Sequence, residues 1–292
     1  MRRVFLSKKY SRWGWFFVGP AAILIFVLSF YPMVQAFILS LQSGLGNNLR
    51  FTGTRNYLRL LQDTVFHSSV ANVFIYLIFQ VPLMLFLALI LASILNSPKL
   101  KGKVIFRTII FLPCAVALVS SAIIFKSFFS LDGIVNLVLL RLKLIPDPIS
   151  WLTDPFWAKV VIILVITWRW TGYNTIFYLA GLQNIDTSVY EAARIDGASG
   201  PQQFFKITLP LLRPVILLTT IMSTNGTLQL FDEVKAISPG SGFKATITIS
   251  YHIYNLSFYN SPQLGYAAAV SYTILLMVAV LSLIQIKVGD RI

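Results

Sequence analysis

Charge is what this chain has least of. Asp, Glu, Lys and Arg make up 12% of its 292 residues, against about 25% in soluble domains. Acid is scarcest, with ten Asp and Glu in all and none before Asp63. A shell of charged side chains around one water-soluble core is therefore excluded. The single cysteine, Cys114, rules out an intrachain disulfide and leaves the redox compartment open. The two histidines, His67 and His252, are far apart and have no Cys, His, Asp or Glu at ligand spacing, so no metal site is expected and each reads as a polar loop residue. Nucleotide chemistry is missing too, because Lys101-Gly102-Lys103 lacks the glycine spacing and the preceding strand of a phosphate-cradling GxxxxGK[ST] loop. Paired carboxylates, HExxH and GxSxG are also absent, which argues against a membrane-embedded enzyme. No cofactor is expected in this chain.

Apolar residues make up 57% of the sequence and come in blocks of about twenty rather than in short periodic runs. Because every backbone polar group must be satisfied in lipid, such blocks are expected as helices. Six spans are predicted, at about 15–39, 70–95, 104–128, 156–182, 215–231 and 266–286, giving an all-α membrane protein with one transmembrane domain over 1–292. Pro82 is expected to kink the second span. The fifth is the weakest, being short and interrupted by Asn225, Gly226, Thr227 and Gln229. The basic start resembles the charged region of a signal peptide, but the apolar run after it is too long, so an uncleaved first span is expected. Lys287 to Ile292 leave no room for a regulatory tail.

The net charge of +14 is spread between the apolar blocks and forms no stripe, so no nucleic-acid partner is expected. Cytoplasmic loops retain an excess of Lys and Arg. Arg2, Arg3, Lys8, Lys9 and Arg12 precede the first span, which puts both termini on the cytoplasmic side. The outer loops carry turn signals at Gly44 to Asn48, Pro146 to Pro148 and Pro239 to Gly242.

A polar, amphipathic stretch at 184–213 interrupts the lipid-like text, on the cytoplasmic side in this topology. Asp186, Thr187 or Ser188 is suited to cap a short helix, with Ser188 three residues before Glu191 as in a capping box, and Gly197 suits a left-handed stop. Ser199, three residues before Gln202 and with Pro201 between them, marks a second start. Ala192 and Ala193 carry so little bulk that the first helix could slide into a groove on another protein.

Glu191-Ala192-Ala193, three residues, Gly197, nine residues, Ile207, one residue and Leu209-Pro210 resemble the EAA loop of ABC importer permeases. The text around Thr171-Gly172-Tyr173, Leu179 to Gln183, Phe106-Arg107-Thr108, Phe111-Leu112-Pro113 and Gly265 to Ala269 is similar to the maltose-type sugar permeases, over nearly the whole chain. Asp186 departs from the proline usual there, and Asp232 to Gly242 departs from a glycine-rich stretch.

The resemblance implies the type I importer permease fold in a bacterial or archaeal plasma membrane. It also implies a second, different permease subunit, two cytoplasmic ATPase subunits that bind ATP and Mg, and an extracytoplasmic sugar-binding protein. The solute would be a sugar, an oligosaccharide for choice. Glu191, Ala192, Ala193, Gly197, Ile207, Leu209 and Pro210 would couple to the ATPase. Glu191 would pair with a basic group there, the alternative being a pair with Arg194 worth only about 0.2–0.5 kcal/mol.

Polar residues inside spans are expensive unless they serve a function. Arg169, Tyr173 and Asn174, with Trp168, Trp170 and Thr171, and then Asn225, Thr227 and Gln229, are candidates to contact substrate. Hydrogen bonding between helices accounts for them equally well, and Arg169 has a further alternative at the outer interface between Trp168 and Trp170. Asp232 and Glu233 read as solvated charges. The competing function is an ion-coupled secondary transporter, which should show carboxylates inside its spans and related halves. None of the six predicted spans contains Asp or Glu.

Overall fold

The structure is a computed structural model that describes residues 8–45, 48–98, 100–238, 244–259 and 261–289. The start of the basic segment and the turn expected at 239–242 lie outside the described residues. Two compact units are present, one of residues 1–62 with 256–272 and one of 63–255 with 273–292.

The first unit opens with α1 (Lys8–Ile25), a π-helical turn (Phe26–Phe30) and α2 (Tyr31–Ser40). Pro32 at the start of α2 has no N–H to offer the carbonyl one turn back, which accounts for the widened turn before it. Gly14–Ser40 together make a membrane-length apolar segment. An antiparallel hairpin of β1 (Gln42–Leu45) and β2 (Asn48–Phe51) follows, in the register Gln42 opposite Phe51, and then α3 (Arg55–Leu60). Buried Asn56 ties the unit together, its amide donating to the carbonyls of Ser40 (2.8 Å) and Gln42 (2.7 Å).

The second unit is built on α4 (Thr64–Asn96). Asp63 caps it, its carboxylate accepting from the amides of Val65 and Phe66. Pro82 lies inside α4, which runs unbroken through it. The third predicted span is not one straight helix. It is two helices, α5 (Lys103–Ala115) and α6 (Leu118–Phe128), bent by 94° at Val116-Ala117. Pro113 withholds an N–H from the end of α5, and both junction residues adopt extended backbone. Next come α7 (Ile134–Arg141) and α8 (Pro155–Gln183). In α8, Asp154 caps the N-terminus and Pro155 occupies the first turn.

Helices α9 (Thr187–Ile195) and α10 (Gly200–Gln203), a π turn (Phe204–Thr208) and α11 (Leu209–Leu211) form an elbow that leads at 65° into α12 (Arg213–Leu228). The fifth span thus stops before the predicted Phe231. Its 16 residues cover about 24 Å, short of the ~30 Å hydrocarbon core, and Phe231 instead opens α13 (Asp232–Ile237). The chain ends with α14 (Ile249–Phe258) and α15 (Leu264–Gly289). Among the described residues four helical segments are long and apolar enough to cross a membrane, and six are if each bent pair is one span.

Helix α8 is the axis of this unit. Val161, Ile162, Val165 and Ile166 pack with Tyr76, Trp151 and Val234 at one end, and Tyr178, Leu179 and Leu182 pack with Ala88, Ala92 and Leu212 at the other. Alpha-helices α5 and α8 touch where Gly172 faces the Ile110 carbonyl.

Candidate functional site

The helices α9 to α11 form an exposed elbow. Of the three residues suited to cap α9, Asp186 is the one that does so, accepting from the Ser188 amide at 2.9 Å. That backbone bond, followed by the Ser188 side chain, holds the Asp186 carboxyl below its usual range. Gly197 closes the helix at φ +76°, the left-handed conformation that glycine adopts without a Cβ penalty. Ser199 and Gln202 form the expected capping box at α10.

Tyr190 and Thr208 hydroxyls meet at 2.9 Å across the elbow, holding α9 to the π turn. Glu191 and Ala192 are exposed, but Ala193 is buried and Ile207, Leu209 and Pro210 are half-buried. Of the two alanines, only Ala192 presents a smooth outer face, and Ala193 serves the packing of the elbow itself. Val189, Phe205 and Ile195 stand in the open, with Ile195 87% exposed. Among the described residues Glu191 makes no ion pair with Arg194, and both line a cavity of about 600 Å³ with Tyr190, Gln203 and Thr208.

A second cavity of about 430 Å³ lies where α4, α8 and α12 meet. Tyr173, Asn174, Thr227 and Gln229, all candidates from the sequence, line it with Trp170 of the same cluster and with Gln80, Phe231 and Glu233, which were not among the substrate candidates. The Thr227 hydroxyl donates to Gln80 Oε1 at 3.2 Å, and the Asn174 amide donates to the Trp170 carbonyl at 3.1 Å. Trp170 and Tyr173 meet edge to face at 5.9 Å. Such a wall mixes aromatic faces with amide and hydroxyl groups, which suits a ligand with apolar faces and a polar rim.

Asn225 and Arg169 are not among the lining residues. Asn225 Oδ1 accepts from Ser282 of α15 at 3.4 Å, so this asparagine bonds helix to helix. Arg169 does not sit at an interface between its flanking tryptophans. It turns inward, donating from Nη1 to the Val116 carbonyl at 3.1 Å and pairing with Glu233 at 3.7 Å. The bend between α5 and α6 frees that carbonyl, and the guanidinium takes it up.

Glu233 is not a solvated charge either. Its side chain is 8% exposed, and Trp170 Nε1 donates to it at 3.1 Å. His252 is likewise buried in α14 rather than placed in a loop, its Nε2 3.3 Å from Asp63 Oδ2, while His67 is exposed on α4. No local pattern announces either pairing, since Asp63 and His252 are 189 residues apart.

Residues 66–289 match the family described as the binding-protein-dependent transport system inner membrane component. The chain belongs to that family. It is a multi-pass membrane protein and the permease type of ABC importer subunit. It is 56% identical over 282 residues to the lactose transport system permease protein LacF of Rhizobium radiobacter, covering 96% of this chain and 95% of that one. To the trehalose/maltose transport system permease protein MalF of Thermococcus litoralis it is 32% identical over 287 residues, with 97% and 96% covered.

The fold matches a chain in the crystal structure of a bacterial ABC transporter involved in the import of the acidic polysaccharide alginate. The TM-score is 0.83 at 24% identity, over 100% of this chain and 99% of that one. This match bears out the all-α type I permease fold, and the family model with the permease relatives bears out the resemblance. Family membership leaves the secondary-transporter alternative without support.

Proposed function

We propose that this chain is the membrane subunit of an importer for a sugar, an oligosaccharide for choice, delivered by an extracytoplasmic binding protein. The lactose and trehalose/maltose for which the relatives are named support the sugar, and the family's dependence on a binding protein supports the delivery. ATP and Mg are bound and ATP is hydrolysed in two separate cytoplasmic ATPase subunits, and a second, different permease chain completes the path. Both termini, and the elbow, face the cytoplasm.

The observation that carries this reading is the exposed face of the elbow. Ile195, Val189 and Phe205 offer apolar area to a partner, and Glu191 beside them offers a carboxylate that forms no ion pair among the described residues. A truncated charge at such an interface costs about 2–5 kcal/mol when its partner is left buried. Glu191→Ala is therefore expected to leave the protein inserted while uptake falls at least about thirty-fold by that arithmetic, with ATPase turnover no longer stimulated by loaded binding protein. Uptake and stimulation both at the parental level would remove the elbow from the coupling path.

The cavity at α4, α8 and α12 is the proposed sugar site, with Tyr173, Asn174, Thr227 and Gln229 as contacts. Losing one hydrogen bond to a bound hydroxyl is worth about 0.5–1.5 kcal/mol. Asn174→Ala should thus lower uptake roughly two- to twelve-fold at equal amounts of assembled transporter. Asn225→Ala, which loses its bond to Ser282, should instead lower thermal stability more than uptake. The reverse ranking in a transport assay would exchange the two roles.

A further inference from the structure

Charge of one sign lines the cavity at α4, α8 and α12. Glu233 and Asp232 are its charged lining residues among those described. Arg169 and Lys235 are not among its lining residues. Arg169 donates to the Val116 carbonyl behind Glu233, and Lys235 Nζ sits 3.8 Å from the centre of the Tyr254 ring. Glu233 is also held in place, its Oε1 accepting from Trp170 Nε1 at 3.1 Å and lying 3.7 Å from Arg169 Nε. Arg169 offsets one of the two negative charges, so the lining remains net negative.

We infer that Glu233, with Asp232 beside it, is the specificity-determining group of this site and makes the transported sugar a neutral one. This inference rests on the sugar reading above and adds the charge class. A carboxylate has only acceptors to offer, which suits the hydroxyl donors of a neutral glycan, and charge-assisted bonds of this kind are roughly twice as strong as neutral ones. A uronate, sulfonate or phosphate on the same glycan meets like charge. At ~5 Å and an effective dielectric of ~20, that repulsion discriminates on the order of 100-fold. Aromatic faces from Trp170, Tyr173 and Phe231 complete a wall for the apolar side of a sugar ring.

The test is equilibrium binding to the purified assembly of this chain with its co-purifying subunits, binding protein omitted. Radiolabelled lactose is the probe, and lactitol and lactobionate are the competitors. Both competitors are open-chain derivatives, and they differ in one carboxylate. The parent is expected to bind lactitol on the order of 100-fold more tightly than lactobionate. Glu233→Gln should shrink that preference to about ten-fold or less by the same arithmetic, and Asp232→Asn, at an exposed position, should shrink it several-fold by itself.

The exchange Arg169→Glu with Glu233→Arg restores a pair and should favour lactobionate. If the pair served only the packing of α13 on α8, the exchange would recover the parental preference, and that result overturns the inference. A parent that binds lactose but prefers neither competitor overturns it as well, leaving the sugar reading intact. A parent that binds none of the three sinks the sugar reading itself. Co-elution of the subunits reports folding for each variant, and Asp232→Asn decides the matter if Glu233→Gln fails to assemble.

Discussion

Gly172→Ala is expected to cost about 3 kcal/mol, at the upper end of what an added methylene does to a packed interface, and to lower the melting midpoint of the purified assembly by roughly 6–12 °C. A Cβ at position 172 would lie 2.0 Å from the Ile110 carbonyl oxygen and 2.8 Å from its carbon. Both are backbone atoms, so no rotamer change relieves the contact and α5 must move away from α8. Movement there is transmitted to the bend at Val116, because Arg169 on α8 holds the Val116 carbonyl. The cavity wall at Trp170, Tyr173 and Asn174 is carried by the same stretch of α8. Melting followed by intrinsic fluorescence checks the prediction, and an unshifted midpoint would mean that the α5–α8 contact is looser than described. Small residues at helix contacts are the usual device of membrane interiors, where close backbone approach replaces the hydrophobic drive between helices.

The removal of either charge in the Arg169–Glu233 pair follows the same logic at greater depth. A buried partner left alone costs about 3–5 kcal/mol. For that reason the charge exchange, and not a single truncation, is the informative experiment on that pair.

Hydropathy made the long spans legible because lipid imposes length and composition together, as in α4, which carries no Asp, Glu, Lys or Arg, and α15, where Lys287 in the last turn is the one such residue. It could not foresee the bend at Val116. Pro113 sits in an apolar run, and whether such a proline bends a helix or breaks it depends on what takes up the freed carbonyls. At the bend itself the free carbonyl is that of Val116, and Arg169, 53 residues later, takes it up. The elbow was legible for a different reason: caps and glycine stops are local chemistry, readable from Asp186, Gly197, Ser199 and Gln202 alone.

Charge partners were not legible. Glu233 follows a polar stretch and looks solvated until α13 folds back and Trp170, 63 residues earlier, supplies its donor. Asn174 and Asn225 are the same residue type in apolar helices, and only the neighbours of each decide whether it faces a cavity or bonds to Ser282. Ala192 and Ala193 differ by one step around α9, which is enough to expose one and bury the other.

At Gly197 the backbone alone should set how well the elbow works. Its φ is +76° and nothing lies within 4 Å of the position a Cβ would take, so a larger side chain has room and any penalty arises from the dihedral. Left-handed backbone costs an L-residue roughly 1–2 kcal/mol, asparagine least among non-glycine residues and β-branched residues most. A shift of that size changes a two-state population by a factor of about 5–30. Uptake is therefore expected to rank glycine, asparagine, alanine, valine, with Gly197→Asn near the parent and Gly197→Val reduced about ten-fold or more. ATPase turnover in Gly197→Val should continue without following uptake, because the strain lies in the connection between the two short helices and not in a hydrolytic site. The measurement is paired uptake and ATP hydrolysis in proteoliposomes at matched subunit content. Equal losses in Gly197→Asn and Gly197→Val would point to side-chain bulk against a docked subunit, and would take the left-handed turn out of the explanation.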